Sequence, residues 1–296
     1  MRPFKILSDF DGVWTDQAIE ADYVRRFAID ALAVALGSGI AAAESEWNAF
    51  ATRTKAAPDA HGWAPDGRIS AYVDEDPLCE GSAVCRLLDT ATDAAAVRCK
   101  AALVRAGHAS LAGFGEYCFH GGTARFRAEH PPCIVPHAKP MLRALVDAGA
   151  EIVVVSNSAT EKLVAFFAAA GIDAVDHESG ARGELRVRGN AGKWFLGPTD
   201  ESITVAGRKI HVDRPRYRAV IADEQPVLVV GDVFSLDLAL PHVMRTTGDP
   251  AAPRLLVLRR HPHTPAWILG DRAHGAIDAV VDQVGDIVDV LARREG

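Results

Sequence analysis

Ser8-Asp9-Phe10-Asp11-Gly12-Val13-Trp14-Thr15 is the stretch of this 296-residue chain that decides the fold. The largely apolar residues 4–7 precede it and predict a short buried strand, and Gly12 gives the backbone the freedom to turn afterwards. Two carboxylates, those of Asp9 and Asp11, stand two positions apart directly after that strand. In open α/β sheets, ligands bind at the carboxyl ends of the strands. The stretch therefore predicts a functional edge at this end of a sheet.

Two later apolar runs, residues 153–155 and 227–230, also end in polar groups. The polar residues that follow them are Ser156 and Asn157 after the first run, and Asp232, with Asp237 five positions further on, after the second. The carboxyl ends of parallel strands meet at one edge of a sheet, so these groups are expected to lie close together. The three strand ends predict a single shared site.

This set of residues resembles the motifs of the haloacid dehalogenase-like (HAD) superfamily of phosphohydrolases. The first motif of the family, Asp-x-Asp-x-(Thr/Val), is similar to residues 9–13, the second to Ser156, and the fourth to Gly231-Asp232 with Asp237. The resemblance covers residues 1–15 and about 134–296. It implies an α/β fold, with a doubly wound, Rossmann-like parallel sheet and a mostly α-helical cap domain inserted after the first motif.

The rest of the sequence pattern agrees with this fold class. Beyond residue 133, short apolar strands alternate with amphipathic helices, which is typical of a doubly wound parallel sheet. Residues 17–133 form a mostly helical pattern that is rich in alanine and broken near Gly37-Ser38-Gly39. We therefore predict a catalytic core of residues 1–16 and 134–296 and a helical cap domain of residues 17–133.

Three local patterns give further expectations. Turn signals at Gly189-Asn190 and Ala206-Gly207 predict a hairpin-like region between the second and third catalytic strands. Gly113-Phe114-Gly115 predicts a turn, with a mobile contact loop as the alternative. His261 and His263 follow an apolar strand, and we expect them at the surface because no third metal ligand stands at a recognisable spacing.

Composition excludes several classes of function. A net charge of −7 and a pI near 5.9 argue against a nucleic-acid-binding surface. The sequence holds no uncharged apolar run of about 18 residues, so neither a transmembrane helix nor a membrane partner is expected. The first residues carry too short an apolar stretch for a signal peptide, and five cysteines without a Cys-x-x-Cys pair indicate reduced thiols. We expect a soluble, cytoplasmic enzyme whose oligomeric state the sequence leaves open.

The charges of the candidate site suggest its chemistry. A phosphate monoester is a dianion, so a carboxylate nucleophile approaches it only with a cation between them. Asp9 and Asp232 are the expected carboxylate ligands of that cation, and Mg²⁺ suits one or two carboxylates plus a substrate phosphate. Asp9 is the expected nucleophile and Asp11 the expected general acid and base. The resemblance also implies that the backbone carbonyl of Asp11 is a metal ligand.

The remaining site residues are expected to bind phosphate or to support the metal. Ser156 is expected to donate a hydrogen bond to a phosphoryl oxygen, with Asn157 as a turn residue and lesser contributor. The resemblance gives Asp237 the role of supporting the metal or orienting a lysine. The alternative is that Asp237 is only a favourable charge at a helix N-terminus.

The positive group that binds the phosphate has two main candidates. Arg214 precedes Pro215-Arg216-Tyr217 and a short helix, which resembles the Lys-Pro…Tyr arrangement of the family. Lys193 follows a glycine-rich turn, and Lys209 lies within a strand-like alternation that more plausibly faces solvent. We favour Arg214 over Lys193 because of its position before the helix, although either could stabilise a phosphoryl charge.

The function that these observations favour is magnesium-dependent hydrolysis of a small phosphate monoester through an aspartyl-phosphate intermediate. The cap implied by the resemblance favours a small phosphorylated metabolite over a protein substrate. The alternatives are a phosphotransferase or phosphomutase of the same superfamily and a non-catalytic HAD-like binding protein. Dehalogenating members lack an acid at the second position of the first motif, so Asp11 disfavours halide displacement.

Overall fold

The computed structural model describes residues 4–270 and 275–295, and the chain divides into two compact units. The core unit comprises residues 1–16 and 132–296, and the cap unit comprises residues 17–131. The division after residue 131 lies two positions before the boundary that the sequence indicates. Each unit has its own apolar centre.

The core unit is built on a seven-stranded sheet in which all neighbouring strands are parallel. Its strands are β1 (Phe4–Ser8), β4 (Ala150–Val155), β5 (Ala174–Asp176), β6 (Leu185–Arg188), β9 (Leu228–Gly231), β10 (Leu255–Arg259) and β11 (Ala279–Val281). Their spatial order is β11-β10-β9-β1-β4-β6-β5. The predicted α/β class with a parallel sheet is confirmed.

Both faces of the sheet are buried, as expected for an all-parallel sheet. Ile6 and Val154 belong to one apolar cluster, together with Phe167. Leu7 and Val153, their neighbours along the strands, are equally buried and point to the opposite face because side chains alternate along a strand. The helices of the core unit are α6 (Ala138–Asp147), α7 (Thr160–Ala169), α8 (Pro215–Glu224), α9 (Ala239–Thr246), α10 (Ala266–Leu269) and α11 (Ile287–Glu295).

The cap unit is mostly helical, as the sequence pattern predicts. Its elements are α1 (Gln17–Leu36), α2 (Ile40–Ala56), β2 (Gly62–Trp63), β3 (Ala71–Tyr72), α3 (Cys79–Thr90), α4 (Ala94–Arg105) and α5 (Leu111–Glu129). Helix α1 ends before Gly37, which adopts φ +62°, so the predicted break between α1 and α2 is confirmed. Helices α1 and α5 pack closely at Gly122 because glycine has no Cβ atom. A Cβ at this position would lie only 2.4 Å from the Cα of Val24.

The turn predicted at Gly113-Phe114-Gly115 is wrong, because these residues lie in the first turns of α5. Ser110 caps the helix by accepting a hydrogen bond from the Gly113 N–H group at 3.0 Å. Phe114 is fully buried in the centre of the cap unit. Tertiary burial of this ring, together with the cap, outweighs the low helix propensity of the two glycines.

The hairpin-like region is confirmed at one of its two predicted turns. Ala206 and Gly207, both with positive φ, connect the antiparallel strands β7 (Ser202–Val205) and β8 (Arg208–His211). Gly189-Asn190 is not a hairpin turn, because the preceding strand β6 is inserted between β4 and β5 of the parallel sheet. A Cβ at Gly189 would lie 2.2 Å from the Thr160 nitrogen, so this glycine permits a close approach to the start of α7.

The cysteines and the apolar helices add two observations. All five cysteines are free thiols, and Cys79, Cys85, Cys99 and Cys118 are buried in the cap unit. Among the described residues, no single helix has the length and apolar character needed to cross a membrane. The pair α1 and α2 meets that criterion only when taken together, across a 116° bend.

Glu224 at the end of α8 is expected to be a major contributor to stability. It is 3% exposed and accepts hydrogen bonds from Lys5, Arg186 and Arg188 at 3.0, 2.9 and 2.8 Å. Burial alone would raise its pKa, but hydrogen bonds from Arg188, Arg186 and Lys5 outweigh burial and lower the pKa to about 2. Glu224→Gln should therefore lower the free energy of unfolding by about 3 kcal/mol, measured by urea denaturation at pH 7.

The pH dependence gives a second measure of the same effect. The pKa of Glu224 in the folded protein lies below its ordinary value of 4.5, so its stabilisation is complete above pH 4.5 and is lost as the pH falls towards 2. The difference between wild type and Glu224→Gln should shrink over that range. Glu151→Gln is the matched control, because Glu151 pairs with Arg186 but is 48% exposed. Equal losses in both variants would contradict the role of the buried carboxylate.

Candidate active site

The predicted catalytic residues meet at one edge of the sheet. Strand β1 lies between β4 and β9. Strands β4 to β6 lie on one side of it and strands β9 to β11 on the other, so the strand order reverses at β1. Asp9 follows β1, Ser156 follows β4, and Asp232 follows β9. All three are therefore at the carboxyl ends of adjacent parallel strands, where the sequence pattern places them.

A buried lysine joins two of the acids. The Nζ atom of Lys193 lies 2.5 Å from Asp9 Oδ1 and 2.6 Å from Asp237 Oδ1. Burial and the neighbouring carboxylate of Asp237 raise the pKa of Asp9, whereas the Lys193 ammonium opposes that shift and favours the carboxylate. Burial alone would lower the pKa of Lys193, but Asp237 and Asp9 outweigh burial and hold it well above its usual range. Lys193 therefore carries a fixed positive charge beside the predicted nucleophile.

Asp237 is held at both carboxylate oxygens. Its Oδ1 accepts the hydrogen bond from Lys193, and its Oδ2 accepts one from the Val233 N–H group at 3.1 Å. Asp237 lies in a single π-helical turn, Phe234–Leu238, a feature that often occurs at functional sites. A Cβ at Gly231 would lie 2.3 Å from the Cβ of Asp237, so the glycine of the Gly-Asp pair allows this approach.

The carboxylates of Asp9, Asp232 and Asp237 form an acidic cluster at this edge of the sheet, and those of Asp9 and Asp232 are the ones placed to bind a divalent cation. One oxygen from each lies within 4.8 Å of the others. A Cβ at Gly12 would lie 2.0 Å from Asp232 Oδ2, so the loop after β1 packs directly against this carboxylate. Buried carboxylate oxygens are the donors that Mg²⁺ prefers, and the residues present therefore fit this ion.

The side chain of Asp11 faces a different set of partners. Its Oδ2 accepts hydrogen bonds from the hydroxyls of Ser156 and Ser158 at 3.0 and 3.1 Å, and Lys162 Nζ lies 3.3 Å from its Oδ1. Asp11 is thus separate from the cluster of Asp9, Asp232 and Asp237. Two carboxylates two positions apart have distinct surroundings, which is the condition for distinct chemical roles.

The two candidates for the positive group have different positions. The side chain of Lys193 lies between the acids, whereas Arg214, although buried, donates from Nη1 to the Lys193 carbonyl oxygen at 2.6 Å. Asn157 holds the same residue from the other side, because its Oδ1 accepts from the Lys193 N–H group at 2.7 Å. Arg214 and Asn157 therefore fix the backbone that presents the lysine, and Lys209 pairs with Asp200 at the surface.

The surface position expected for His261 is wrong, whereas His263 is exposed as predicted. His261 Nε2 lies 2.6 Å from the carbonyl oxygen of Gly12 and 3.5 Å from Asp232 Oδ2. A carbonyl can only accept, so Nε2 carries the proton, and Nδ1 accepts a hydrogen bond from Arg259. Burial, with Arg259, lowers the pKa of His261 to about 4, and the imidazole is therefore neutral at pH 7.

Three residues of the site were not assigned to it from the sequence: Ser158, Lys162 and His261, the last of which was expected at the surface. For each of them, the position in the sequence relative to a strand or helix is the signal that could have indicated a place in the site. Ser158 lies in the loop between β4 and α7, and Lys162 lies in the first turn of α7. His261 stands two positions after β10, at the same edge of the sheet as the other polar groups.

Comparison with known proteins finds solved structures of low sequence identity. No protein-family model matches this sequence, and no curated protein sequence matches it. The chain is similar to the solved structure of a 2-haloacid dehalogenase from Pseudomonas syringae pv. Tomato DC3000, with 16% identity and a TM-score of 0.44 over 99% of this chain and 100% of that one. It is also similar to a HAD phosphatase from Thermococcus onnurineus, with 14% identity and a TM-score of 0.44 over 98% of each chain.

The architecture of the chain itself matches what the motif resemblance implies. A parallel sheet reverses its strand order at β1, two acids follow β1, and a helical unit begins at residue 17. The fold is therefore an α/β fold with an inserted helical unit, as the motif resemblance implies. One edge of the sheet in this core presents the Asp9 carboxylate with the buried Lys193 ammonium beside it, and the Ser156 hydroxyl beside a second acid, Asp11. Such a set can bind an oxyanion and attack it with a carboxylate.

Proposed function

We propose that this HAD-like protein is a magnesium-dependent phosphohydrolase that cleaves a small phosphate monoester through an aspartyl-phosphate on Asp9. The observation that supports it is the Asp9–Lys193–Asp237 chain of contacts, at 2.5 and 2.6 Å, beside Asp232. A carboxylate nucleophile needs positive charge beside it to approach a dianion, and this arrangement supplies a fixed one.

The first step is attack by a carboxylate oxygen of Asp9 on phosphorus. The new O–P bond forms while the bond between phosphorus and the leaving oxygen breaks, and that oxygen takes a proton from Asp11. The ammonium of Lys193 stabilises the charge on the phosphoryl oxygens. Lys193 also binds Asp237. Asp237 therefore holds the lysine in place and does not compete with Asp9 as a nucleophile.

The second step is hydrolysis of the aspartyl-phosphate by water. Asp11, now a carboxylate, takes the proton of the attacking water, and the O–P bond to Asp9 breaks to release phosphate. The Ser156 hydroxyl has one proton and donates it to Asp11 at 3.0 Å. We infer that substrate takes over this hydrogen bond and thereby frees Asp11 for proton transfer.

Asp9, Asp232 and the backbone of Asp11 are the groups that would hold Mg²⁺. When bound, the ion neutralises phosphoryl oxygens and offsets their repulsion by the carboxylates. Asp232→Asn should weaken Mg²⁺ binding and lower activity by at least about 10²-fold, because several kcal/mol of charge stabilisation are lost. Phosphate release across a Mg²⁺ titration measures this effect.

The metal experiment has a control and a decisive contrary result. Asp282→Asn should leave the Mg²⁺ dependence unchanged, because that carboxylate is 68% exposed and pairs with Arg260. Chelation with EDTA should stop turnover of the wild type, and added Mg²⁺ should restore it. Hydrolysis that continues undiminished in EDTA would rule out the metal-dependent mechanism.

The experiment that tests the proposed function as a whole is a panel of small phosphorylated metabolites. Each is incubated with the protein and Mg²⁺, and released inorganic phosphate is measured. We expect at least one compound to be hydrolysed at a rate that Asp9→Asn abolishes. A panel without any release, or release that is unaffected by Asp9→Asn, would contradict the proposal.

A further inference from the structure

The loop after β1 is tied to the end of β10 by one buried histidine. We propose that His261 is a positioning residue of the cation site: its Nε2–H group holds the Gly12 carbonyl and, through Gly12, fixes the carboxylate of Asp232. The inference rests on the proposed function, because it assigns His261 to the site at which Mg²⁺ would bind.

The first step of the argument is the hydrogen bond itself. His261 Nε2 donates to the Gly12 carbonyl oxygen at 2.6 Å, which is short for a bond of this type, and the side chain is 8% exposed. Gly12 has φ +79°, in the left-handed region, and lies directly after Asp11. The bond therefore fixes a left-handed turn, which glycine adopts without strain, in the segment that carries both catalytic acids.

The second step connects Gly12 with Asp232. A Cβ at Gly12 would lie 2.0 Å from Asp232 Oδ2 and 2.5 Å from its Cγ, so backbone and carboxylate are in tight contact. His261 Nε2 lies 3.5 Å from the same Oδ2, which is too long for a good hydrogen bond but close enough to limit rotation of the carboxylate. Asp232 is thus enclosed between the Gly12 backbone and the imidazole edge.

The third step is the way in which the imidazole is held. Arg259 donates to His261 Nδ1, which leaves the proton on Nε2. The His261 N–H group donates to Thr264 Oγ1 at 2.8 Å, and the Thr264 N–H group donates to the His261 carbonyl at 3.1 Å. Arg259 therefore fixes the tautomer of the ring, and the turn after β10 fixes the backbone that carries it. Partners that orient ligands in this way are typically worth 10–100-fold in metal affinity.

The test measures Mg²⁺ binding in the absence of substrate. We expect His261→Leu, which keeps much of the volume but lacks the donor, to bind Mg²⁺ about 10–100-fold more weakly by titration calorimetry. His261→Gln should recover most of the affinity, because its amide nitrogen can donate in place of Nε2. His263→Leu is the matched control: its exposed ring stacks on His261 at 4.8 Å, and its affinity should equal that of the wild type.

The outcomes separate this inference from the proposed function. If the wild type binds Mg²⁺ and His261→Leu binds it equally well, the inference is wrong and the proposed function stands. If the wild type does not bind Mg²⁺, both fail. Should His261→Leu not fold, ¹⁵N NMR of the wild-type imidazole decides. A protonated Nε2 whose signal shifts on Mg²⁺ addition supports the role, and an Nδ1–H tautomer or an unchanged signal overturns it.

Discussion

Asp9→Asn is expected to abolish both turnover and the phosphoenzyme. The substitution keeps the shape of the side chain but removes the nucleophilic carboxylate that Lys193 contacts at 2.5 Å. An amide oxygen cannot form the aspartyl-phosphate, so neither step of the reaction proceeds. Phosphate release and intact-protein mass after incubation with substrate measure the two effects separately.

Asp11→Asn is expected to behave differently, because it removes the proton donor and keeps the nucleophile. General acid–base catalysis contributes about 10²–10⁴-fold, so turnover should fall by that factor. With an activated leaving group such as a nitrophenol, protonation matters little for the first step. The variant should then accumulate phosphate on Asp9 and stall, since no base activates the water.

The pair of variants is decisive because the two carboxylates have different surroundings. Asp9 contacts Lys193, whereas Asp11 accepts from Ser156 and Ser158 and lies beside Lys162. An active Asp9→Asn together with a fully inactive Asp11→Asn would mean that the nucleophile is the other carboxylate. Absence of any phosphoenzyme in Asp11→Asn with the activated substrate would argue against the covalent intermediate.

The polar residues at the carboxyl ends of the strands could be predicted from the sequence. Their placement follows from the local hydrophobic pattern and from the rule that parallel strands end at the same edge of a sheet. Apolar runs before Asp9, Ser156 and Asp232 indicate strands, and parallel strands bring their ends to one edge. The helical cap unit could be predicted for a similar reason, since apolar spacing and alanine content are local properties. In these parts of the chain, the secondary structure of a residue and its burial are determined mainly by the residues next to it in the sequence.

The position of Lys193 beside Asp9 could not be predicted in this way, because it depends on contacts that are distant in sequence. Lys193 is brought to Asp9 by a loop in which Asn190 and Gly192 have positive φ, and its backbone is fixed by Asn157 and by Arg214, 21 positions on. Resemblance to a Lys-Pro pattern favours Arg214. The hairpin of β7 and β8 separates that arginine from the lysine whose side chain contacts the acids.

The burial of His261 is missed for a related reason. A histidine two positions after a strand is usually at the surface, and the sequence contains no sign that the loop at Gly12 lies against it. Its 2.6 Å hydrogen bond joins residues 249 positions apart. Pairings over such separations come from the order of strands in the sheet, and a sequence pattern does not specify that only β9 lies between β10 and β1.

Lys193→Met should cause the second large loss, because Lys193 is the cation between two buried acids. Activity on a phosphate monoester should fall by about 10²–10³-fold, the usual effect of removing one group that stabilises developing charge. The free energy of unfolding without metal should fall by about 3–5 kcal/mol, since Asp9 and Asp237 lose their buried partner. Lys209→Met, at a 52% exposed lysine, is the control and should change neither quantity.

The same variant also distinguishes Lys193 from Arg214 as the phosphate-binding group. Without the ammonium, the acids repel one another, so a bound cation should stabilise Lys193→Met more than it stabilises the wild type, and the Mg²⁺-induced rise in Tm should be larger. Arg214→Met keeps the lysine side chain and removes the hydrogen bond to its backbone, so its activity should fall less. If Arg214→Met is inactive while Lys193→Met retains turnover, the phosphate charge is stabilised by the arginine, and the lysine serves only to hold the two acids together.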